Sequence, residues 1–134
     1  MAPAPSPSGP RPAALALVRL AILTAVLGFG AVVWYLQRQP GWAPSAVDRD
    51  TLSYVSLAVW VLAGGGVLLV RSLQRRQADP GRARPLLVAG WALGEVTALW
   101  GGVYYLLTGD PQRYFTGLIF LALVFLMFPV PGRR

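Results

Sequence analysis

The chain has 134 residues, of which 55% are apolar and 13% are charged, and this composition is typical of a one-domain membrane protein. It contains no Cys and no His, which excludes disulfides, thiolate nucleophiles and the thiolate and imidazole ligands of zinc and haem. The formal net charge is +7 and all twelve basic residues are Arg, which with abundant Ala, Gly and Pro indicates a GC-rich bacterial genome.

The charged residues lie between long apolar runs. Arginines that flank apolar segments set membrane orientation, and no aromatic-basic reader motif accompanies them, so no nucleic-acid binding is expected. Four of the five acids, Asp48, Asp50, Asp79 and Asp110, fall in predicted loops, and only Glu95 lies within an apolar segment. Since the acids do not converge, neither a metal site nor a cofactor is predicted.

The N-terminal residues 1–12 are rich in Pro, Ala and Ser and are predicted to be a disordered tail. The first apolar segment, 13–37, follows a basic region and contains small residues at Gly28 and Gly30, so cleavage as a signal peptide is one alternative. The apolar run continues past these glycines to Leu36, longer than a cleaved signal requires. A retained transmembrane helix is therefore predicted.

The second apolar segment covers residues 51–73, with Asp48 or Asp50 placed to cap the start of the helix. Its middle contains Gly64, Gly65 and Gly66. In a membrane helix, such glycines are expected to allow a neighbouring backbone to come close.

A third helix is predicted over 85–107, after a basic loop over 74–84 in which Pro80-Gly81 marks a turn. Pro85 suits the first turn of this helix, because its missing N–H is not needed there.

A fourth helix is predicted over 111–128, with Asp110 as the cap and Pro111 at the first position. A basic tail over 129–134 follows it.

These four helices, joined by short loops, predict an all-α antiparallel bundle that spans the membrane four times. With the N-terminus inside, nine arginines lie on the cytoplasmic side and three on the outer side, which predicts a plasma-membrane protein with both termini cytoplasmic. Aromatic residues at the outer helix ends predict an interfacial belt: Trp34, Tyr35, Trp42, Tyr54, Tyr104, Tyr105 and Tyr114.

Glu95 is the candidate functional residue. It lies ten residues after Pro85, which corresponds to about 15 Å along a helix and places it near mid-membrane. An acid at that depth marks a functional site by default. Three interpretations stay open: a structural acid, a proton or cation carrier, and a contact to another subunit.

The candidate partners of Glu95 are Arg19, Trp91 and Thr97. Arg19 lies six residues beyond Ala13, so its long side chain could reach Glu95 or extend back to the headgroups. Trp91 lies one helical turn before the acid, and its indole N–H could donate to the carboxyl or simply pack.

A stripe of small residues, Gly90, Gly94, Ala98 and Gly102, recurs every four residues along the third helix. Such a stripe allows close helix approach, so Glu95, which is adjacent to it, is expected to point toward a helix interface. The sequence does not decide whether that interface is with the second helix or with a second copy of the protein.

The segment ALGEVTALWGGVYYLL around Glu95 resembles the proton-carrying helix of rotary ATPase ring subunits, over less than a fifth of the chain. In that family the polar loop directly precedes the acid helix, whereas here a helix without an acid intervenes, so the function is not carried over. Small multidrug-resistance transporters are similar in gross design but carry the Glu in their first helix. The chain as a whole resembles uncharacterised small four-helix bacterial inner-membrane proteins.

The favoured hypothesis is an interaction or accessory membrane protein that is not an enzyme, with a structural Glu95 and partners that are lipid, a second copy or another membrane protein. The alternative is a homo-oligomeric proton-coupled transporter or channel with Glu95 as the carrier.

Overall fold

A computed structural model describes residues 12–130 of the chain and is all-helical over that range. Its four helices are α1 (Pro12–Gln37), α2 (Arg49–Arg76), α3 (Pro80–Thr108) and α4 (Gln112–Met127). Three apolar segments, in α1, α2 and α3, are long enough to cross a membrane, and α4 is a shorter apolar helix. The predicted all-α class is confirmed. The tails predicted over 1–12 and 129–134 lie largely outside the described residues.

The start of α3 differs from the prediction. The helix begins at Pro80, so the predicted Pro80-Gly81 turn is instead the first turn of α3, and Pro85 lies inside the helix. Proline is well suited to a first helical position because its N–H would have no partner there. Pro85 removes only one hydrogen bond, close to the helix start, and the helix continues through it.

Two aspartates hold the starts of α2 and α4. Asp48 accepts hydrogen bonds from the main-chain N–H groups of Asp50 and Thr51, as its predicted capping role requires. Asp110 accepts from the N–H of Gln112 at 3.0 Å. Helix α4 begins at Gln112 with Pro111 at the cap position, however, so the predicted placement of Asp110 at the cap and Pro111 at the first helical position is wrong by one residue. Between α3 and α4, Gly109 has a φ of +80°, a left-handed conformation that turns the chain sharply after α3.

Helix α3 is the centre of the fold. It contacts α1, α2 and α4, most extensively α4, and its apolar segment is the most enclosed of the three. Buried apolar side chains of α1, α2, α3 and α4 form one core. Its fully enclosed members on α3 and at the end of α4 are Leu87, Trp91, Ala98, Leu121, Val124, Phe125 and Phe128.

The facing residues of α3 and α4 run in opposite order. Gly90 lies against Phe128, Gly94 against Leu121 and Val124, Ala98 against Gly117, and Gly101 against Tyr114. Two further close contacts join α3 to the other helices. Phe29 of α1 lies against Gly102, and Leu93 lies against Gly66 of α2.

Candidate functional site

Glu95 lies at the middle of α3. Thirteen residues separate it from each end of the apolar segment Arg82–Thr108, a distance of about 20 Å at 1.5 Å per residue. Trp91, four residues before it, contacts Phe125 of α4, and Gly102, seven residues after it, contacts Phe29 of α1. Residues at these spacings share one helix face, but Ala92 and Val88, three and seven residues before Glu95, are exposed. Glu95 therefore lies at the edge of the α3 face that is turned toward α1 and α4.

The carboxyl group of Glu95 forms no hydrogen bond and no ion pair with any residue in the described range 12–130. Every buried side-chain nitrogen or oxygen in that range does have a hydrogen-bond partner. The carboxyl oxygens of the half-buried Glu95 are therefore not enclosed. They reach the surface of the bundle at its mid-height.

Trp91 directs its indole elsewhere. The ring is fully buried, meets Phe125 edge-on at 5.8 Å between centroids, and donates its N–H to the main-chain carbonyl of Phe128 at 3.0 Å. The carbonyls in the last turn of a helix have no partner within the helix, so the end of α4 offers Trp91 a strong acceptor. The suggested hydrogen bond from Trp91 to Glu95 is not formed.

The other two predicted partners also make different contacts. The guanidinium of Arg19 lies over the ring of Phe125, 4.5 Å from its centroid, and no ion pair joins it to Glu95 within the described part of the chain. The hydroxyl of Thr97 donates to the carbonyl of Leu93 at 2.9 Å. A threonine inside a helix commonly bonds back to the carbonyl four residues earlier, which competes with any bond to a neighbouring side chain.

The small-residue stripe faces α4 over most of its length. Side chains from α4 fill the spaces at Gly90 and Gly94, and the main chain of Ala98 lies against Gly117. Gly102 instead accommodates Phe29 of α1. The sequence left open whether this stripe contacts the second helix or a second copy of the protein. In the structure it contacts mainly the fourth helix. Sequence reasoning missed Gly117 and Gly101, which lie off the four-residue repeat.

The three glycines of α2 behave differently from one another. Only Gly66 faces another helix, with Leu93 of α3 close to it. A side chain added at Gly64 or Gly65 would meet nothing within 4 Å. The predicted approach of a neighbouring backbone is thus not seen at these glycines within one chain, where a side chain fills the space at Gly66.

The end of the bundle at which α3 connects to α4 contains hydrogen bonds that the sequence did not indicate. Tyr114 is buried and donates its hydroxyl to the carbonyl of Val26 at 2.8 Å, and Gln37 donates to the carbonyl of Tyr105. Tyr104 is buried as well, whereas Tyr54 is 73% exposed. The predicted aromatic belt therefore needs correction at Tyr104 of α3 and Tyr114 of α4, which are buried inside the bundle.

Two arginines and two phenylalanines meet at the opposite end. Arg19 of α1 lies over Phe125, and Arg71 of α2 lies over Phe128 with its carbon Cζ 5.5 Å from the ring centroid. Both rings are buried and both arginines are half-buried. Arg71 also donates to the side chain of Gln74 at 3.0 Å.

Within residues 12–130, no cluster of three or more metal-ligating side chains occurs. No protein-family model, no curated protein and no solved structure matches this chain. The interpretation of the site therefore rests on its geometry.

Proposed function

We propose that the protein is a multi-pass membrane interaction protein and that Glu95 is the polar contact it offers to a second membrane-spanning chain. The observation that carries this proposal is the position of the carboxyl group: mid-height on α3, at the bundle surface and without a partner in the described residues. An acid exposed to hydrocarbon is costly, so such a group requires a polar partner or access to water. A second chain that covers it supplies the partner.

The proposed membrane arrangement has four antiparallel spans in a bacterial inner membrane, with both termini in the cytoplasm. Helix α4 has 16 residues, about 24 Å, which is shorter than the hydrocarbon core of about 30 Å. The uncharged segment continues beyond α4 through Val130, however. Contacts between α3 and α4 extend from Gly101 and Tyr114 to Gly90 and Phe128, which supports the proposal that α4 crosses the whole membrane. The arginine distribution supports the orientation.

The proposal can be tested by site-specific photocrosslinking in native membranes. A photoreactive amino acid at Val96, which is 55% exposed and adjacent to Glu95, is expected to form a protein adduct. The same group at Val61, which is 64% exposed on α2, is the matched control and is expected to form lipid adducts. Replacing Glu95 by Gln is expected to lower the yield of the protein adduct at position 96 several-fold while leaving the Val61 pattern unchanged.

If only lipid adducts formed at position 96, or if Glu95→Gln left the yield of the protein adduct unchanged, the proposed contact would be contradicted. The size of the adduct distinguishes the two partner classes. A mass twice that of the chain identifies a second copy, and any other mass identifies a different protein.

The same open carboxyl supports one alternative, a proton-coupled transporter or channel that works as a homo-oligomer. A carboxyl that reaches the bundle surface can exchange protons if two copies enclose a wet path between them. Purified protein in liposomes would then conduct protons, and Glu95→Gln would abolish the flux. Flux that ignores this substitution excludes Glu95 as the carrier.

A further inference from the structure

The end of the bundle that contains Arg19 and Arg71 is strongly basic. This end contains one acid, Asp79, and six arginines: Arg19, Arg71, Arg75, Arg76, Arg82 and Arg84. The one ion pair among described residues at this end joins Arg82 to Asp79 at 3.9 Å. Arg19 and Arg71 have no carboxylate partner within residues 12–130.

Aromatic rings hold these two arginines in position. Phe125 lies in the last turn of α4 and Phe128 directly follows that helix, and the guanidinium of Arg19 covers the first ring while that of Arg71 covers the second. Trp91 of α3 stabilises the end of α4 through its edge contact with Phe125 and its hydrogen bond to Phe128. Helices α1 and α2 therefore each place one cation against an aromatic ring at this end of the bundle.

Cation–π contacts leave most N–H donors of the arginines available. The attraction acts through the face of the ring, whereas the five N–H groups of a guanidinium lie in its plane. Arg71 uses one nitrogen for Gln74, and Arg19 makes no hydrogen bond with the described residues. Two guanidinium groups with free in-plane donors match the oxygens of a phosphate group.

We infer that Arg19 and Arg71 form a binding site for the phosphate diester headgroup of an anionic phospholipid. Arg19 lies seven residues after the start of α1 and Arg71 five residues before the end of α2, about 10 Å or less along each helix, from where a long side chain extends to the headgroups. Basic sites between helix ends are suited to such lipids. This site is separate from Glu95 and goes beyond the proposed interaction function. The lipid seals the α1–α4–α2 end of the bundle, where its acyl chains cover the exposed apolar side chains of α1 and α2.

The test is a titration of phosphatidylglycerol into the full-length protein in neutral detergent, with bound lipids counted by native mass spectrometry. Phosphatidylglycerol is expected to bind more tightly than phosphatidylcholine. The double substitution R19Q/R71Q is expected to weaken binding about 30-fold, at about 1 kcal/mol for each charge. Each single substitution is expected to weaken it about 5-fold, which keeps the test usable if the double variant does not fold.

The matched control is R38Q/R113Q. Arg38 lies over Trp34 and Arg113 over Tyr104, so this variant removes two arginines with ring contacts from the opposite end. Both are exposed, and their removal is expected to leave phosphatidylglycerol binding within about 3-fold of wild type. An equal loss in the two double variants would overturn the inference, since it would mean that net charge alone attracts the lipid.

Two further arms identify the chemistry. R19K/R71K keeps the charges but loses the planar donors, so it is expected to bind less tightly than wild type and more tightly than R19Q/R71Q. If R19K/R71K bound the lipid as tightly as wild type, the proposed hydrogen bonds from the planar guanidinium donors to the phosphate would be refuted. Inorganic phosphate that competes at a concentration similar to that of the lipid would identify a free-phosphate site and overturn the headgroup assignment.

Discussion

The indole N–H of Trp91 donates a hydrogen bond to the main-chain carbonyl of Phe128 at 3.0 Å, across 37 residues of sequence. Both residues are fully buried, so water cannot replace either group. This bond joins the first half of α3 to the end of α4. It also directs the Trp91 indole away from Glu95, four residues later, and so leaves that acid without an internal donor.

Trp91→Phe is expected to lower the free energy of unfolding by about 2 kcal/mol, because it leaves the buried carbonyl of Phe128 unpaired and removes ring volume. Unfolding by denaturing detergent in mixed micelles measures this change. Trp60→Phe is the control: Trp60 packs edge-on against Phe120 and makes no hydrogen bond to the described residues, so a smaller loss is expected. Equal losses would mean that the hydrogen bond contributes nothing.

Gly117→Ala is expected to push α3 and α4 apart. The added carbon would lie 2.8 Å from Cα of Ala98 and 3.0 Å from the carbonyl oxygen of Thr97, and backbone atoms cannot rotate away. A loss of about 1–3 kcal/mol in unfolding free energy is expected. Gly64→Ala, where nothing lies within 4 Å, is expected to be neutral or slightly stabilising, since Ala favours helix. A neutral Gly117→Ala would refute the close approach.

Tyr114→Phe tests the connection between α4 and α1. It removes the hydroxyl that donates to the carbonyl of Val26 while keeping the ring between Gly30 and Gly102. Hydrogen bonds between membrane helices contribute about 1 kcal/mol, and a loss of that size is expected in the detergent titration. Tyr54→Phe, at a residue that is 73% exposed, is expected to change stability by far less.

Asp48 gives the start of α2 a pH dependence. Hydrogen bonds from the Thr51 hydroxyl, and then from the N–H groups of Thr51 and Asp50, hold the pKa of this carboxyl below its usual value of 3.8. A lowered pKa in the folded state means that the cap stabilises the helix above about pH 4. That stabilisation is lost as pH falls through the folded-state pKa.

Protection of the Thr51 amide from exchange, expressed relative to its intrinsic exchange rate at each pH, is expected to fall across that acidic range, as the first turn of α2 opens. Thr51→Val removes the strongest of the hydrogen bonds to the carboxylate, so the pKa of Asp48, followed by NMR, is expected to rise toward its usual value. A pKa that does not move on this substitution would show that the hydroxyl has no part in the cap.

The proposed membrane topology can be tested with single cysteine substitutions, because the chain has no cysteine of its own. A membrane-impermeant maleimide is expected to label Ala46→Cys and Asp110→Cys from the outer side. It is expected to label Gln77→Cys and Arg134→Cys only after the membrane is opened. Labelling of Arg134→Cys from the same side as Asp110→Cys would mean that α4 does not cross.

The four apolar segments, their approximate limits and the position of Glu95 on the third helix could be predicted from the amino-acid sequence. These features depend on local properties: hydrophobicity over about twenty residues, prolines and glycines at the ends, and aspartates that cap. The start of α3 was misplaced, because a proline pair five residues apart offers two possible first turns.

The helix that each face contacts could not be predicted in this way and is seen only in the packed bundle. The small residues of α3 fit α4, and Trp91 and Arg19 turn to the end of that helix and not to Glu95. Such choices depend on contacts between residues up to 106 positions apart, as for Arg19 and Phe125. Helical periodicity states that a residue lies on a face, but packing between whole helices decides what covers that face, and local sequence does not encode that directly.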